Sequence, residues 1–271
     1  MIHPSAQIDP TAEIDEDVSI GPHTVIGPNV KILKGTVVEG NAFIHKNTIL
    51  GKENLIYPFA SIGGDPQDLK YNGEETYLEI GNNNEIREGS TINRGTIQED
   101  GKTIIGNNNL FMAYTHVAHD CVLDDDIVMT NNAGVAGAVK VGKGARLSGF
   151  TLVHQFCNIG SYSFSALGTI ITKDVPAYVR VSGNPAIPRG LNTVGIQRKG
   201  LTTEASEALK ESYKILYLRK NKLKEAQKEI ISKFKDIKEM DPFIKSISNF
   251  ERSIVRSVSY THLRAHETGG Y

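Results

Sequence analysis

The chain has no tryptophan and only two cysteines, Cys121 and Cys157, among 271 residues. Two cysteines supply no disulfide framework, which excludes a small disulfide-stapled scaffold and fits a reducing compartment. No window approaches the ~18 consecutive apolar residues of a membrane span, so no membrane insertion is expected. Neither sign of charge is in excess. The formal net charge is -1, which provides no general attraction to nucleic acid or to an anionic lipid surface. The N-terminal stretch MIHPSAQIDP has neither a basic region nor an apolar core, so no secretory signal is expected and the chain reads as soluble and cytoplasmic. Glycine, by contrast, is plentiful, at 26 residues, which is unusual for a packed helical domain.

What is present is a repeat. Aliphatic residues recur every six positions from Ile2 through Ile8, Ile14, Ile20, Ile26, Ile32, Val38, Ile44, Leu50 and Ile56 to Ile62. Small or β-branched residues follow four positions later, as at Ala6, Ala12, Val18, Thr24 and Thr36. The pattern resumes at Ile80, Ile86 and Ile92. It resumes again, one residue out of phase, from Ile105 to Ile171, broken only at Ser165. A period of six fits neither an α-helix nor an alternating strand. It is the signature of a parallel β-helix, in which each hexad gives one short strand and one corner and three hexads close a coil. Gly, Asn and Asp in IGP, IGNNN and VGKG suit the corners. The fold class expected is mainly β, a hexapeptide-repeat β-helix followed by a small C-terminal α-helical domain. Its domains are expected at 1–190 and 191–258.

Two polar segments carry no hexad core, 64-GDPQDLKYNGEET-76 and 94-RGTIQEDGKT-103. Loops on a rigid scaffold are common sites for binding groups. Asp68 and Lys70 favour the first as functional, and the second reads as a tolerated surface insertion. The repeat ends near Val175. From about Thr202, a plausible N-cap, apolar residues take helical spacing at Ala208, Leu209, Leu216, Ile230, Ile231 and Phe234. Residues 201–257 hold thirteen Lys/Arg against nine Asp/Glu, whereas the first 200 residues carry a net charge of −5. Residues 259–271 match no pattern and read as an atypical tail of the kind a cloning scar leaves. His262 and His266 are therefore set aside.

The stretch 112-MAYTHVAHDC-121 places two histidines beside an aspartate. With three hexads to a coil, His119 falls beneath Gly137 and Gly137 beneath Gln155, with His154 adjacent. Two histidine segments thus converge on one part of the prism. Two chemistries fit. Histidines shared between neighbouring β-helices can hold zinc, as in β-helical carbonic anhydrases. Alternatively, a neutral imidazole can act as general base, with Asp120 orienting the ring and a backbone N–H at Gly137 facing a developing oxyanion.

The motifs 67-QDLKYNGE-74, HxxHDC, 130-TNNAGVAG-137, VHQF, 174-DVPAYV-179 and 188-PRGLNTVGIQRKG-200 resemble the UDP-N-acetylglucosamine acyltransferase family. That resemblance implies a left-handed coil and a homotrimer with sites between adjacent subunits. It implies no cofactor and no metal. The donor would be a 3-hydroxyacyl chain on acyl carrier protein, and the acceptor UDP-N-acetylglucosamine. It further implies that His119 is the general base, Asp120 its partner and Gly137 the oxyanion donor. Asp68 would read the donor's 3-hydroxyl. Lys70, His116, His154 and Gln155 would contact substrate, Asn192 and Arg198 the nucleotide, and Leu167 would limit acyl length. The chain departs from many members at Asn93 and Ala138, where histidine is common, and at Val194 and Lys199. These departures leave a 3-amino UDP-sugar as the alternative acceptor.

Overall fold

The computed structural model describes residues 1–256. The atypical tail and its two histidines lie outside the described residues. Among these, twenty-seven strands, most of only two residues, line three walls, and each wall takes every third strand. The first wall has nine strands, from Gln7–Ile8 to Ile170–Ile171. The second has eight, from Glu13–Ile14 to Asn158–Ile159. The third has ten, from Ser19–Ile20 to Ile187–Leu191. Strands within a wall are parallel and one coil apart, with Gln7 opposite Val25 and Val25 opposite Phe43. The last pair, Val179–Ser182 with Ile187–Leu191, is antiparallel.

The hexad explains this geometry. In each two-residue strand the second residue points inward, and Ile20, Ile26, Ile32 and Val38 are fully buried. The smaller column also points inward. It admits threonine because each hydroxyl finds a corner carbonyl: Thr24 donates to Glu39 at 2.8 Å and Thr36 to Gly51 at 2.8 Å. The break at Ser165 is satisfied by a hydroxyl and a backbone N–H instead of a carbonyl. Ser165 is buried, and its hydroxyl lies 2.8 Å from that of Thr151. Asn54, Asn84 and Asn109 stack inside one edge, each amide bonded to the next coil. The N-terminal end of the prism is open, so Ile2 stays 49% exposed although it obeys the repeat.

The two interruptions lengthen single coils. The register offset rises to 30 residues between Ser61 and Thr91, and to 25 between Thr91 and His116. Beyond the walls come α1 (Thr193–Lys199), α2 (Thr203–Tyr213), α3 (Leu223–Phe234) and α4 (Asp241–Ser248). Thr202 caps α2, accepting from the Ala205 N–H at 3.2 Å. The helical stretch is interrupted after a π-turn over Lys214–Leu218, where Lys220 adopts a left-handed φ of 59°. Ala208, Leu209, Leu216 and Ile230 are buried as their spacing predicts, and Ile231 and Phe234 are half-buried. Helix α4 seats on the last coil, where the Ser246 hydroxyl accepts from the Ala177 N–H at 3.0 Å.

Candidate active site

Residues 118–121 turn the chain from the first wall to the second. Asp120 takes a left-handed φ of 61° there, which a short polar side chain tolerates better than most. Its carboxylate reaches back to the preceding residue, and His119 Nδ1 lies 2.7 Å from Asp120 Oδ2. A carboxylate only accepts, so Nδ1 carries the proton and Nε2 is left as the acceptor. The hydrogen bond to Asp120 raises the His119 pKa. Burial opposes it, and the charges of Asp120, Asp68 and Glu99 add to the rise.

His116, on the first wall, is driven the other way. Burial lowers its pKa, as does repulsion from His119, and its Nδ1 lies 2.7 Å from the Thr91 hydroxyl. Two neighbouring imidazoles with opposite tendencies divide the roles. His119 is the more readily protonated of the two, and His116 the less.

Gly137 sits one coil on. A Cβ there would come within 2.6 Å of His119 Cε1 and 2.9 Å of Nε2, so the ring packs flat on the glycine. Glycine is needed for close approach rather than for φ. The Gly137 N–H has no acceptor among the described residues. His154 and Gln155, both exposed, occupy the next corner of this edge, and the Gly137 carbonyl accepts from Phe156 N–H at 3.1 Å. The first interruption brings Asp68 close enough for its charge to act on His119. The Asp68 carboxylate accepts from Lys70 N–H at 2.9 Å, and Lys70 itself is exposed.

Asn192 and Arg198 are not brought to this edge. They line a cavity of 590 Å³ on the third wall, together with Arg146, Arg180, Tyr162 and Lys199. Burial lowers the Arg146 pKa, and the Arg198 charge lowers it further. Lys199 Nζ stands 5.1 Å from the centre of the Tyr162 ring. Four cations and an aromatic ring make a cavity suited to an anion bearing a ring. Asn192 is largely committed to the scaffold. It caps α1 by accepting from Gly195 N–H at 3.1 Å and donates to the Tyr162 carbonyl at 2.8 Å. Leu167 lies on a third edge, between the third and first walls, and is 74% exposed.

Sequence reasoning missed four of these residues. Arg146 and Arg180 occupy outward strand positions, which the hexad leaves unconstrained. Arg94 and Thr96 belong to the segment read as a surface insertion, yet both are buried. The two cysteines belong to the prism core. Both are buried, and burial pushes each thiol up to about 12. Among the described residues, no three His, Cys, Asp or Glu side chains gather as a metal-ligand group.

The three-walled prism defines a protein of the hexapeptide-repeat β-helix class. The family described as Udp N-acetylglucosamine O-acyltransferase, Domain 2, matches residues 174–255. An acyl-[acyl-carrier-protein]–UDP-N-acetylglucosamine O-acyltransferase of Pseudomonas putida is 50% identical over 205 residues, 76% of this chain and 80% of that one. The Pseudomonas savastanoi enzyme of the same name is 48% identical over the same shares. The solved structure of LpxA from Acinetobacter baumannii superimposes with a TM-score of 0.92 at 45% identity, covering 94% of this chain and 99% of that one. The chain belongs to the acyl-[acyl-carrier-protein]–UDP-N-acetylglucosamine O-acyltransferase family. It is an acyltransferase, and its fold is a left-handed parallel β-helix followed by C-terminal helices.

Proposed function

We propose that the chain transfers a 3-hydroxyacyl group from acyl carrier protein to the 3-hydroxyl of UDP-N-acetylglucosamine, opening lipid A biosynthesis, with His119 as general base. The observation that carries the proposal is the anchored ring. Asp120 holds Nδ1 at 2.7 Å, and this leaves Nε2 beside Gly137 to take a proton. As the sugar hydroxyl attacks the thioester carbonyl, its proton passes to Nε2. The negative charge that develops on the carbonyl oxygen meets the unpartnered Gly137 N–H. The C–S bond then breaks, and the imidazolium returns the proton to the departing thiolate.

His116 stays neutral and positions substrate. Lys70, His154 and Gln155 contact substrate along the same edge, and Asp68 reads the donor's 3-hydroxyl. The cation-lined cavity with Asn192 and Arg198 takes the nucleotide. That cavity and the His119 edge lie on different faces of one prism, so neighbouring copies complete each other's sites in a homotrimer. No helix of the described residues is long and apolar enough to cross a membrane. The catalytic unit is residues 1–190, and the expected second domain, 191–258, is helical over its described residues, which end at 256.

The test offers purified protein a panel of 3-hydroxyacyl carrier proteins with both the 3-hydroxyl and the 3-amino UDP-sugar. Ester formation is expected with wild type, and His119→Ala should lose about 10²–10⁴-fold in kcat. An undiminished His119→Ala sinks the base assignment. An amide product alone would replace the acceptor by the 3-amino sugar, a change to which Asn93 and Ala138 would be suited. Stoichiometric zinc in the purified protein would favour the metal reading.

A further inference from the structure

The carboxylate that anchors His119 is itself held. Thr96 N–H donates to Asp120 Oδ1 at 2.6 Å, and Thr96 Oγ1 donates to Oδ2 at 2.7 Å. The second bond falls on the same oxygen that accepts from His119 Nδ1. The Asp120 N–H in turn donates to the Thr103 hydroxyl at 2.9 Å. Thr96 is 1% exposed, and its own carbonyl accepts from Gly101 N–H at 3.0 Å and Glu99 N–H at 3.3 Å. Every polar group of Thr96 therefore has a fixed partner. The sequence makes this possible at Gly95, where a Cβ would overlap the Lys102 backbone, so only glycine lets the ends of the loop cross and press Thr96 inward.

We infer that Thr96 is a positioning residue for the transfer, setting both the orientation of the Asp120 carboxylate and the share of its charge that reaches His119. The inference rests on His119 as the general base. A carboxylate oxygen that serves two donors divides its charge between them. Removing the hydroxyl leaves Oδ2 to the imidazole alone and frees the carboxylate to pivot about the remaining N–H bond. The first effect strengthens imidazolium, and the second loosens the ring. The groups facing His119 are Asp120 from its own corner, Asp68 from the first interruption, Glu99 from the second and His116 from the wall. Of these groups only Asp120 changes in the variant, and the charge that Oδ2 no longer shares with the Thr96 hydroxyl raises the His119 pKa while the remaining N–H bond limits the pivot.

The experiment titrates the His119 ring by NMR in the free protein, identified by its loss in His119→Ala, alongside a pH profile of kcat. Thr96→Val should raise the His119 pKa by about half a unit. It should also move the acid limb of kcat up by the same amount and lower kcat about tenfold at its plateau, the scale of losing a residue that orients a catalytic group. KM should stay unchanged, because Thr96 does not touch substrate. Thr96→Ser should restore both the pKa and the rate. If Thr96→Val does not assemble, Thr96→Ala is titrated in the same way. An unmoved His119 pKa overturns the inference, whether or not the rate falls, since a merely structural loss would lower the rate and leave the titration alone. Failure of the general-base reading is a separate outcome, visible as full activity in His119→Ala.

Discussion

The two polar segments that interrupt the repeat have similar composition and act in opposite ways. In the first, residues 64–76, most side chains face outward: Leu69 is fully exposed and Lys70 exposed, while only Pro66 and Thr76 are buried. In the second, residues 94–103, the first three residues are buried, and their groups are spent on the rest of the site. The Arg94 guanidinium is 1% exposed and donates to the Gly63 carbonyl, the Asp65 carboxylate and the Tyr71 hydroxyl, which fastens the first segment down. Thr96, two residues later, fastens Asp120. Under the proposed function, one loop presents groups to a ligand, and the other holds that loop and the Asp120–His119 pair in place. Polarity does not distinguish such segments. Burial does, because a buried polar group must have a partner and thereby fixes whatever it bonds.

The sharpest way to break this contrast is to remove one group from each loop. Arg94→Met leaves the buried Gly63 carbonyl without its donor and releases Asp65 and Tyr71. The expected loss is about 2–4 kcal/mol of stability, read by calorimetry, together with a fall in kcat as Asp68 loses its fixed place. Lys70→Ala should leave the melting temperature unchanged and raise KM several-fold. If Arg94→Met melts as wild type does, the second loop is not a holding element. If Lys70→Ala destabilises the fold, the first is not merely a presenting one.

The difference between the loops marks where sequence reading succeeds. A coil is periodic, so the inward column, the corner glycines and the stacking of His119, Gly137 and Gln155 follow from counting. The reach of Asp120 back to His119 is local, a matter of one residue and a turn. Thr96 is neither periodic nor local. Its contact with Asp120 spans 24 residues and depends on how an irregular loop folds inward, which no spacing encodes. The cations Arg146 and Arg180 escape for a related reason: the repeat dictates what points in and leaves outward positions free. Asn192 shows a different limit, because one side chain both lines the cavity and caps α1. An asparagine just ahead of a helix reads first as a cap, and capping is what its side chain does here.

Leu167 extends the contrast to the acyl chain. Its side chain rests on Gly149 of the coil beneath, with Cδ1 3.1 Å from where a Cβ there would stand, yet it remains 74% exposed. If it ends the acyl groove, each methylene beyond it meets packed atoms at about 1–3 kcal/mol instead of gaining ~0.8 kcal/mol of burial. Leu167→Gly should then shift preference toward longer 3-hydroxyacyl donors, while stability falls by no more than about 1 kcal/mol. A mutant that folds with an unchanged chain-length profile removes the ruler.

The smallest effect is expected where presentation is purely electrostatic. Acyl carrier proteins are acidic, and residues 201–257 have four more Lys/Arg than Asp/Glu. Lys220, Lys222 and Lys224 cluster where the chain enters α3. All three are exposed, and none joins an ion pair among the described residues. Neighbouring cations already committed to partners, such as Arg219 with Glu211 and Glu229, offer less to a ligand. Long-range attraction from free lysines raises the rate of encounter more than the strength of the final contact, and salt screens it over a Debye length of about 10 Å at 0.1 M. Reversing the three lysines to glutamate should therefore raise KM for the carrier about three- to tenfold at low salt and much less at high salt, with kcat and melting temperature unchanged. A KM that does not respond at low salt places carrier docking on another surface, with Arg189 and Arg198 the next cations to reverse.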